Sequence, residues 1–460
     1  MKTNFGIVIL AAGLGTRMKS RQAKVLHRAG GKTLIALVTD TATRVAPADH
    51  TFVVVGHQAE LVEQTLAGRG LRFLLQTEQL GTGHAVLIGR QELEPLGPNL
   101  LVLYGDTPLV AAETLTALMD QHVQSGAAAT VLTTTLADPS GYGRILRDAA
   151  GRIRAIVEEK VATPEQKAIT EINSGIYCFE TRALFACLAT LRPNNQAGEY
   201  YLTDVIEGLV ARNRPVGGLS IAEAWQVLGI NTRVELAGVD SLLRARKARE
   251  LMFEGVTIQR PETVTLDDAV SIAPDSVLEP FVQVLGGSSL GSGCRIRSYS
   301  VISDSRLADE VIVEPFSWIH NSEVEKGARI GPYARLRTGS HVGPDACIGN
   351  FVELKKTRMG ARSKANHLAY LGDSAIGEDV NIGAGTITCN YDGVAKHPTV
   401  IQDGAFVGSN STLVAPVEIG PGSYLAAGSV ITENVPADAL AIARSRQTVK
   451  LGWAANQKKK

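Results

Sequence analysis

Residues 330–349 read Ile330-Gly331-Pro332-Tyr333-Ala334-Arg335-Leu336-Arg337-Thr338-Gly339-Ser340-His341-Val342-Gly343-Pro344-Asp345-Ala346-Cys347-Ile348-Gly349. An apolar residue stands at every sixth position, at Ile330, Leu336, Val342 and Ile348. The train extends back through Val324, Trp318 and Ile312 and forward to Leu354. A second train runs Ile376, Ile382 and Thr388, and a third Ile401, Val407, Leu413, Ile419, Leu425 and Ile431. Glycine commonly follows the apolar residue, as in Ile376-Gly377, Ile382-Gly383 and Ile419-Gly420. This period predicts a hexapeptide β-helix, in which three short strands make a coil of about 18 residues around a prism-shaped apolar core. Glycine supplies the backbone geometry where one side turns into the next.

The trains are interrupted twice. Thirteen residues rather than twelve separate Thr388 from Ile401, so Cys389–Pro398 is expected to bulge out as a loop. The second interruption lies between Leu354 and Ile376 and contains His367. A solenoid has no structural need of such breaks, and loops are where function is expected.

Working outward, the front of the chain follows another rule. Short apolar runs, Phe5 to Ala12, Thr51 to Val55 and Leu100 to Tyr104, alternate with helical patterns such as Leu34 to Val45 and Glu60 to Leu66. That alternation predicts a parallel α/β sheet, whose ligands bind at the carboxyl ends of the strands. Leu236, Val239 and Leu243 fall at helical spacing among charged residues. The segment 233–253 therefore reads as a long connecting helix, or equally as the last helix of the first domain. The division is 1–232, the helix 233–253, and a β-helical domain 254–460.

The 460 residues carry 46 Lys plus Arg against 46 Asp plus Glu. A balanced charge argues against nucleic-acid or membrane-surface partners, so any anion site must be local. Phe5 to Ala12 is too short to span a bilayer, and no membrane insertion is expected. Cys178, Cys187, Cys294, Cys347 and Cys389 have neither zinc nor Cys-x-x-Cys spacing, which reads as reduced thiols in a cytoplasmic protein. The tail Gln457-Lys458-Lys459-Lys460 reads as solvated.

Leu10-Ala11-Ala12-Gly13-Leu14-Gly15-Thr16-Arg17-Met18 follows the first strand. Gly13 and Gly15 free backbone N–H groups to turn toward a phosphate, and Arg17 adds a fixed charge. Lys24 is a candidate second phosphate cation. Gln76, ahead of Gly81-Thr82-Gly83-His84, offers a donor and an acceptor that match the edge of a uracil. Asp106, in Tyr104-Gly105-Asp106 at a strand end, is a candidate Mg²⁺ ligand, and the Asn231 amide oxygen is a candidate second one. In the back half, Arg337 and Lys355 lie one coil apart and should stack, making a phosphate site. His367, an imidazole, is a candidate general base.

These motifs resemble the bifunctional N-acetylglucosamine-1-phosphate uridylyltransferase/glucosamine-1-phosphate acetyltransferase family over nearly the whole chain. In front the resemblance rests on Leu-x-x-Gly-x-Gly-Thr-Arg-Met, Gln76 with Gly81-Thr82-Gly83-His84-Ala85, Gly141-Tyr142-Gly143-Arg144-Ile145, Glu171-Ile172-Asn173-Ser174-Gly175 and Gly198 to Asp204. Behind, it rests on Asn366-His367-Leu368-Ala369-Tyr370, Gly372-Asp373, Asn381 to Gly385 and Thr388 to Gly393. It implies a Rossmann-like nucleotidyltransferase domain, a left-handed parallel β-helix and a role in cell-wall precursor synthesis.

It also implies a set of roles. Leu10, Ala11, Ala12, Gly13, Lys24, Gln76, Gly81, Thr82, Tyr104, Gly105 and Asp106 would bind UTP, with Gln76 and Gly81-Thr82 on uracil and ribose. Gly143, Glu158 and Asn173 would hold the sugar, and Asp106 and Asn231 would hold Mg²⁺. His367 would take a proton from the amine of glucosamine-1-phosphate, with Glu353 orienting its ring. Arg337 and Lys355 would bind the sugar phosphate, while Tyr370, Asn381 and Lys396 would contact the sugar. Ala384, Asn390, Tyr391, Ser409, Ala427 and Arg444 would line the acetyl-CoA site. The family is homotrimeric through the β-helix. The family usually has proline before the phosphate-loop lysine, where this chain has Ala23-Lys24. Two rivals remain: a nucleotidyltransferase whose β-helix serves only assembly, and a non-catalytic scaffold, which would lack Mg²⁺-dependent UTP binding.

Overall fold

A computed structural model describes residues 4–192 and 198–457. Met1–Thr3 and the lysines Lys458–Lys460 of the predicted tail lie outside the described residues. The chain divides into two compact units, residues 1–243 and 244–460. The division falls inside a single helix, Arg233–Phe253, which buries Val239 and Leu243 in its first half and Ala248 and Leu251 in its second. No helix among the described residues is long and apolar enough to cross a membrane.

The first unit is built on a nine-stranded sheet: β1 Phe5–Leu10, β2 Thr51–Val55, β3 Arg72–Leu75, β4 Asn99–Tyr104, β5 Ala129–Thr135, β6 Arg144–Arg147, β7 Ile153–Val157, β8 Glu171–Glu180 and β9 Val216–Ile221. The main order is β9-β5-β8-β4-β1-β2-β3, with β6 paired to β8 and β7. Phe5, Ile7 and Ile9 of β1 belong to one core cluster, while Val8 and Leu10 belong to another. Both faces of β1 are thus buried, which is why its sequence is a continuous apolar run rather than an alternation. Each such side chain contributes roughly 1.5–3 kcal/mol by leaving water. The sheet departs from the expected parallel one, because β8 runs antiparallel to both β4 and β5. Alternation of strands and helices reports adjacency but not direction where a long strand returns across the sheet.

The second unit is a parallel β-helix with sheets of eleven, ten and nine strands and one continuous core. Two of the expected inward residues face out. Trp318 is 45% exposed, with the Arg335 guanidinium 4.8 Å from its ring centroid, and Ile312 is only half-buried. Val313 and Ile319 fill the core instead. The reason is a short side: Ile319 to Val324, like Leu354 to Met359 and Leu371 to Ile376, spans five residues rather than six. Each short side has a hydroxyl two residues before its inward residue. Ser322 Oγ donates to the His320 carbonyl at 2.8 Å, Thr357 Oγ1 to Lys355 at 3.2 Å and Ser374 Oγ to Gly372 at 2.9 Å. That bond closes the turn with one residue fewer.

The same short sides remove the second predicted interruption. Met359, Ala365 and Leu371 continue the core, and His367 ends an ordinary strand, Lys364–His367, paired in register with Cys347–Asn350. The Cys389–Pro398 bulge is present as a closed hairpin bridged between Tyr391 and Lys396. Asp392 braces it, accepting from the N–H groups of Val394 and Ala395 at 2.7 Å and meeting His397 Nε2 at 2.7 Å. These bonds hold the Asp392 carboxyl well below its ordinary range.

Candidate active sites

In the first unit the site forms where β1 and β4 end side by side, Leu10 opposite Tyr104. Gly105 N–H donates to the Leu10 carbonyl at 2.9 Å, and Ile230 N–H to the Asp106 carbonyl at 3.0 Å. The second bond brings Asn231 beside Asp106 from 125 residues away. Lys24 Nζ forms an ion pair with Asp106 and lies 3.2 Å from Asn231 Oδ1. Arg17 donates to the same amide oxygen at 2.8 Å. Asp106 and Asn231 therefore aim two oxygens at one point where a cation already stands. That fits a divalent-cation site built from one carboxylate and one amide oxygen. Ala11, Ala12, Gly13 and Gly15 lie on the turn leaving β1, and an added Cβ at Gly13 would meet nothing within 4 Å.

Gln76 is buried, and its amide donates to the Gly81 carbonyl at 3.2 Å and meets His84 Nδ1 at 3.1 Å. Thr82 accepts from Leu202 N–H at 3.0 Å. Burial pushes the Tyr104 hydroxyl well up, against the hydrogen bond it shares with Thr82. Gly143, Glu158 and Asn173 lie together: a Cβ on Gly143 would lie 3.6 Å from Asn173 Cβ and 3.7 Å from Glu158 Oε1. Burial raises the Glu158 carboxyl, and Asp204 adds to the rise while Thr203 opposes it. Sequence reasoning left out Thr203, and also Tyr177, which accepts from Asn173 Nδ2 at 2.7 Å. Thr203 stands inside the quoted Gly198 to Asp204 motif, and Tyr177 two residues after Glu171–Gly175.

In the second unit Arg337 and Lys355 are ladder partners, as one-coil spacing requires. Lys355 Nζ binds Asp373 Oδ2 at 2.7 Å, and the Asn390 amide also donates to that carboxylate. Burial alone would raise Asp373, but these hydrogen bonds hold it below its ordinary value. Lys396 is pulled down by the neighbouring Lys355 ammonium, so two cations crowd a single carboxylate. Such a cluster favours a further anion. Gly372 leaves room for two of these side chains, since an added Cβ would lie 2.5 Å from the Tyr370 hydroxyl and 2.9 Å from the Asn390 amide nitrogen and would displace them.

His367 Nδ1 lies 3.4 Å from Asn350 Oδ1. Glu353, the expected orienting carboxylate, is held instead by Arg337 at 2.8 Å and Arg335 at 3.7 Å. Ladder geometry explains this, since Asn350 is the cross-strand partner of His367 while Glu353 pairs with Tyr370. From His367-Leu368 one corner climbs coil by coil. Gly385 N–H donates to the Leu368 carbonyl at 3.1 Å, Asn410 to Ala384 at 2.7 Å and Gly428 to Ser409 at 2.8 Å. Arg444 then donates to the Ala427 carbonyl at 2.8 Å. Ala384, Ser409, Ala427 and Arg444 thus line one edge. Asn381 sits on the strand leading into that edge, paired with Lys364 and Phe406. Tyr391 stands apart on the hairpin, 60% exposed, its hydroxyl on the Gly393 carbonyl.

A family of MobA-like NTP transferase domains matches residues 7–197, and the bacterial transferase hexapeptide (six repeats) matches 398–433. The bifunctional protein GlmU of Solibacter usitatus is 56% identical over 453 residues, covering 98% of this chain and 97% of that one. The chain belongs to the GlmU family. The GlmU of Koribacter versatilis is 50% identical over the full length of both chains, and that of Heliobacterium modesticaldum is 48% identical over 96% of each. Like other GlmU proteins, this chain is a bifunctional enzyme that joins a nucleotidyltransferase domain to a hexapeptide acetyltransferase domain.

Proposed function

We propose that the sheet unit transfers UMP from UTP to N-acetylglucosamine-1-phosphate, and that the β-helical unit makes that substrate by acetylating glucosamine-1-phosphate with acetyl-CoA. The observation that carries the reading is one convergent cation cluster in each unit. These are Arg17 and Lys24 beside Asp106 and Asn231, and Lys355 and Lys396 beside Asp373.

In the first reaction two polyanions must approach each other, so charge neutralisation dominates. Arg17 and Lys24 neutralise the phosphates, while Gln76 and the Gly81-Thr82 backbone orient uracil and ribose. Gly143, Glu158 and Asn173 hold the sugar. Asp106 and Asn231 hold Mg²⁺, which when bound supplies positive charge to the phosphate oxygens. No protein nucleophile is required; positioning for in-line attack and release of pyrophosphate supplies the rest.

In the second reaction Arg337, Lys355 and Lys396 hold the sugar phosphate, with Tyr370 and Asn381 on the sugar. With Nδ1–H given to Asn350, Nε2 of His367 is left as the base. It takes a proton from the 2-amino group, the amine attacks the thioester carbonyl, the C–S bond breaks, and the departing thiolate takes that proton to leave as free coenzyme A. Ala384, Asn390, Tyr391, Ser409, Ala427 and Arg444 hold the coenzyme. The β-helix assembles as a homotrimer. The exposed, stacked rings of Phe281, Tyr299, Phe316, Tyr333 and Phe351 on one of its corners support a packed face. The enzyme works in the cytoplasm, where its five cysteines, none of them in a disulfide, stay reduced.

The test is a pair of separate assays on the purified chain. One supplies N-acetylglucosamine-1-phosphate, UTP and Mg²⁺ and follows pyrophosphate; the other supplies glucosamine-1-phosphate and acetyl-CoA and follows free thiol. Both products are expected. Pyrophosphate without thiol would make the β-helix an assembly domain.

A further inference from the structure

Lys24 opens a short 3₁₀ turn, Lys24–Leu26, preceded by Arg21-Gln22-Ala23, which lies in no strand or helix. Ala23 has φ −54° and ψ 138°, an angle pair that proline adopts by its ring alone. A proline there would fix φ covalently and would carry no N–H. Ala23 does carry one, and donates it to Gln58 Oε1 at 2.7 Å. The other end of the same carboxamide, Gln58 Nε2, donates to the Arg21 carbonyl at 3.0 Å. One side chain therefore grips the strand of chain before Lys24 at two points.

Gln58 has φ 56° and ψ 40°, in the left-handed region that favours glycine, just ahead of the helix Ala59–Thr65. Its backbone gives no reason for a glutamine; its side chain, with both polar ends engaged, does. Downstream of the clamp, Lys24 is closely seated. A Cβ on Gly15 would lie 2.7 Å from Lys24 Cβ, and Lys24 Nζ reaches Asp106 and Asn231.

We infer that Gln58 is a positioning residue for uridylyl transfer, and that its two hydrogen bonds to Arg21 and Ala23 hold the Lys24 ammonium in place as a proline at position 23 otherwise would. The inference rests on the reading of Lys24 as a phosphate cation. It concerns a residue outside those assigned above to substrate or metal.

The experiment follows pyrophosphate release, thiol release and thermal melting for Q58G, Q58E, A23P, A23P/Q58G and K24A in the full chain. Glycine suits the backbone at 58, so Q58G is expected to melt no lower than the parent. Misplacing a catalytic group by a fraction of an ångström should lower its kcat for pyrophosphate release about ten-fold, with KM for UTP moving less than about three-fold. Thiol release should be unchanged. Q58E keeps the acceptor for Ala23 and should lose less than Q58G. In A23P/Q58G the ring replaces the clamp, and kcat should return to within about two-fold of the parent, the signature of coupled positions. A Q58G enzyme with unchanged kcat would overturn the inference. So would an equal loss on removing Gln58 with and without A23P or, should A23P not fold, a Q58E loss as large as that of Q58G. K24A separates the two readings. If K24A retains full pyrophosphate release, the role of Lys24 fails and the inference with it; if K24A is inactive and Q58G is not impaired, only the inference fails.

Discussion

The two units gather cations into one place by opposite routes. In the sheet unit Arg17 meets Asn231 across 214 positions of sequence, because separate strand ends and a returning segment converge on one edge. In the β-helix Lys355 meets Asp373 across 18, because each coil lays its residues above those of the last. A sheet edge makes a site that depends on many elements at once. A stack of coils makes one whose neighbours are set by local spacing.

The sharpest way to break this comparison is at Asp106 and Lys24, where one ion pair joins two distant elements. Asp106→Asn and Lys24→Ala are each expected to lower pyrophosphate release by about 10²–10³-fold, the range for losing one electrostatic contact to a transition state. Thiol release should not move. A matching loss of thiol release would mean that the units are not independent.

A smaller effect is expected in the coil. Lys355→Ala removes one of three cations from the proposed sugar-phosphate site and leaves Asp373 without its ion pair. KM for glucosamine-1-phosphate should rise about 10- to 100-fold, as for a charged hydrogen bond, with a smaller change in kcat. Steady-state thiol kinetics check this, and a kcat loss at constant KM would contradict it.

The smallest effect concerns stability and only the sheet unit. His122 is buried against Phe5 and shares a hydrogen bond with Thr130; burial lowers its pKa to about 4. The unfolded chain takes up this proton near pH 6.5 while the folded one refuses it. The contribution is thus full above pH 6.5 and is lost as pH falls toward 4. By pH 5 this amounts to about 2 kcal/mol. Urea midpoints of the full chain at pH 7 and pH 5 should differ by less in His122→Gln than in the parent.

The comparison also explains what could be read from sequence. The six-residue period announced the β-helix because every side of a coil repeats the same burial. It misassigned Ile312 and Trp318 because each has an apolar neighbour, Val313 or Ile319, and period alone cannot choose between them. The turn hydroxyls of Ser322, Thr357 and Ser374 carried the missing information about five-residue sides. Once those sides are counted, Asn350 falls beside His367 and Glu353 does not. In the sheet unit the strand ends at Leu10 and Tyr104 were legible as buried runs followed by glycine. The reversed direction of β8 and the Gln58 clamp were not, since both depend on contacts between segments that no local pattern links.

One chain is expected to hold two separable active sites, and His367→Ala separates them when both activities are followed in the same preparation. Loss of the base should lower thiol release by about 10²–10⁴-fold. Pyrophosphate release from UTP and N-acetylglucosamine-1-phosphate should stay at the parent rate. Undiminished thiol release in His367→Ala, or loss of both activities in a folded protein, would contradict the account.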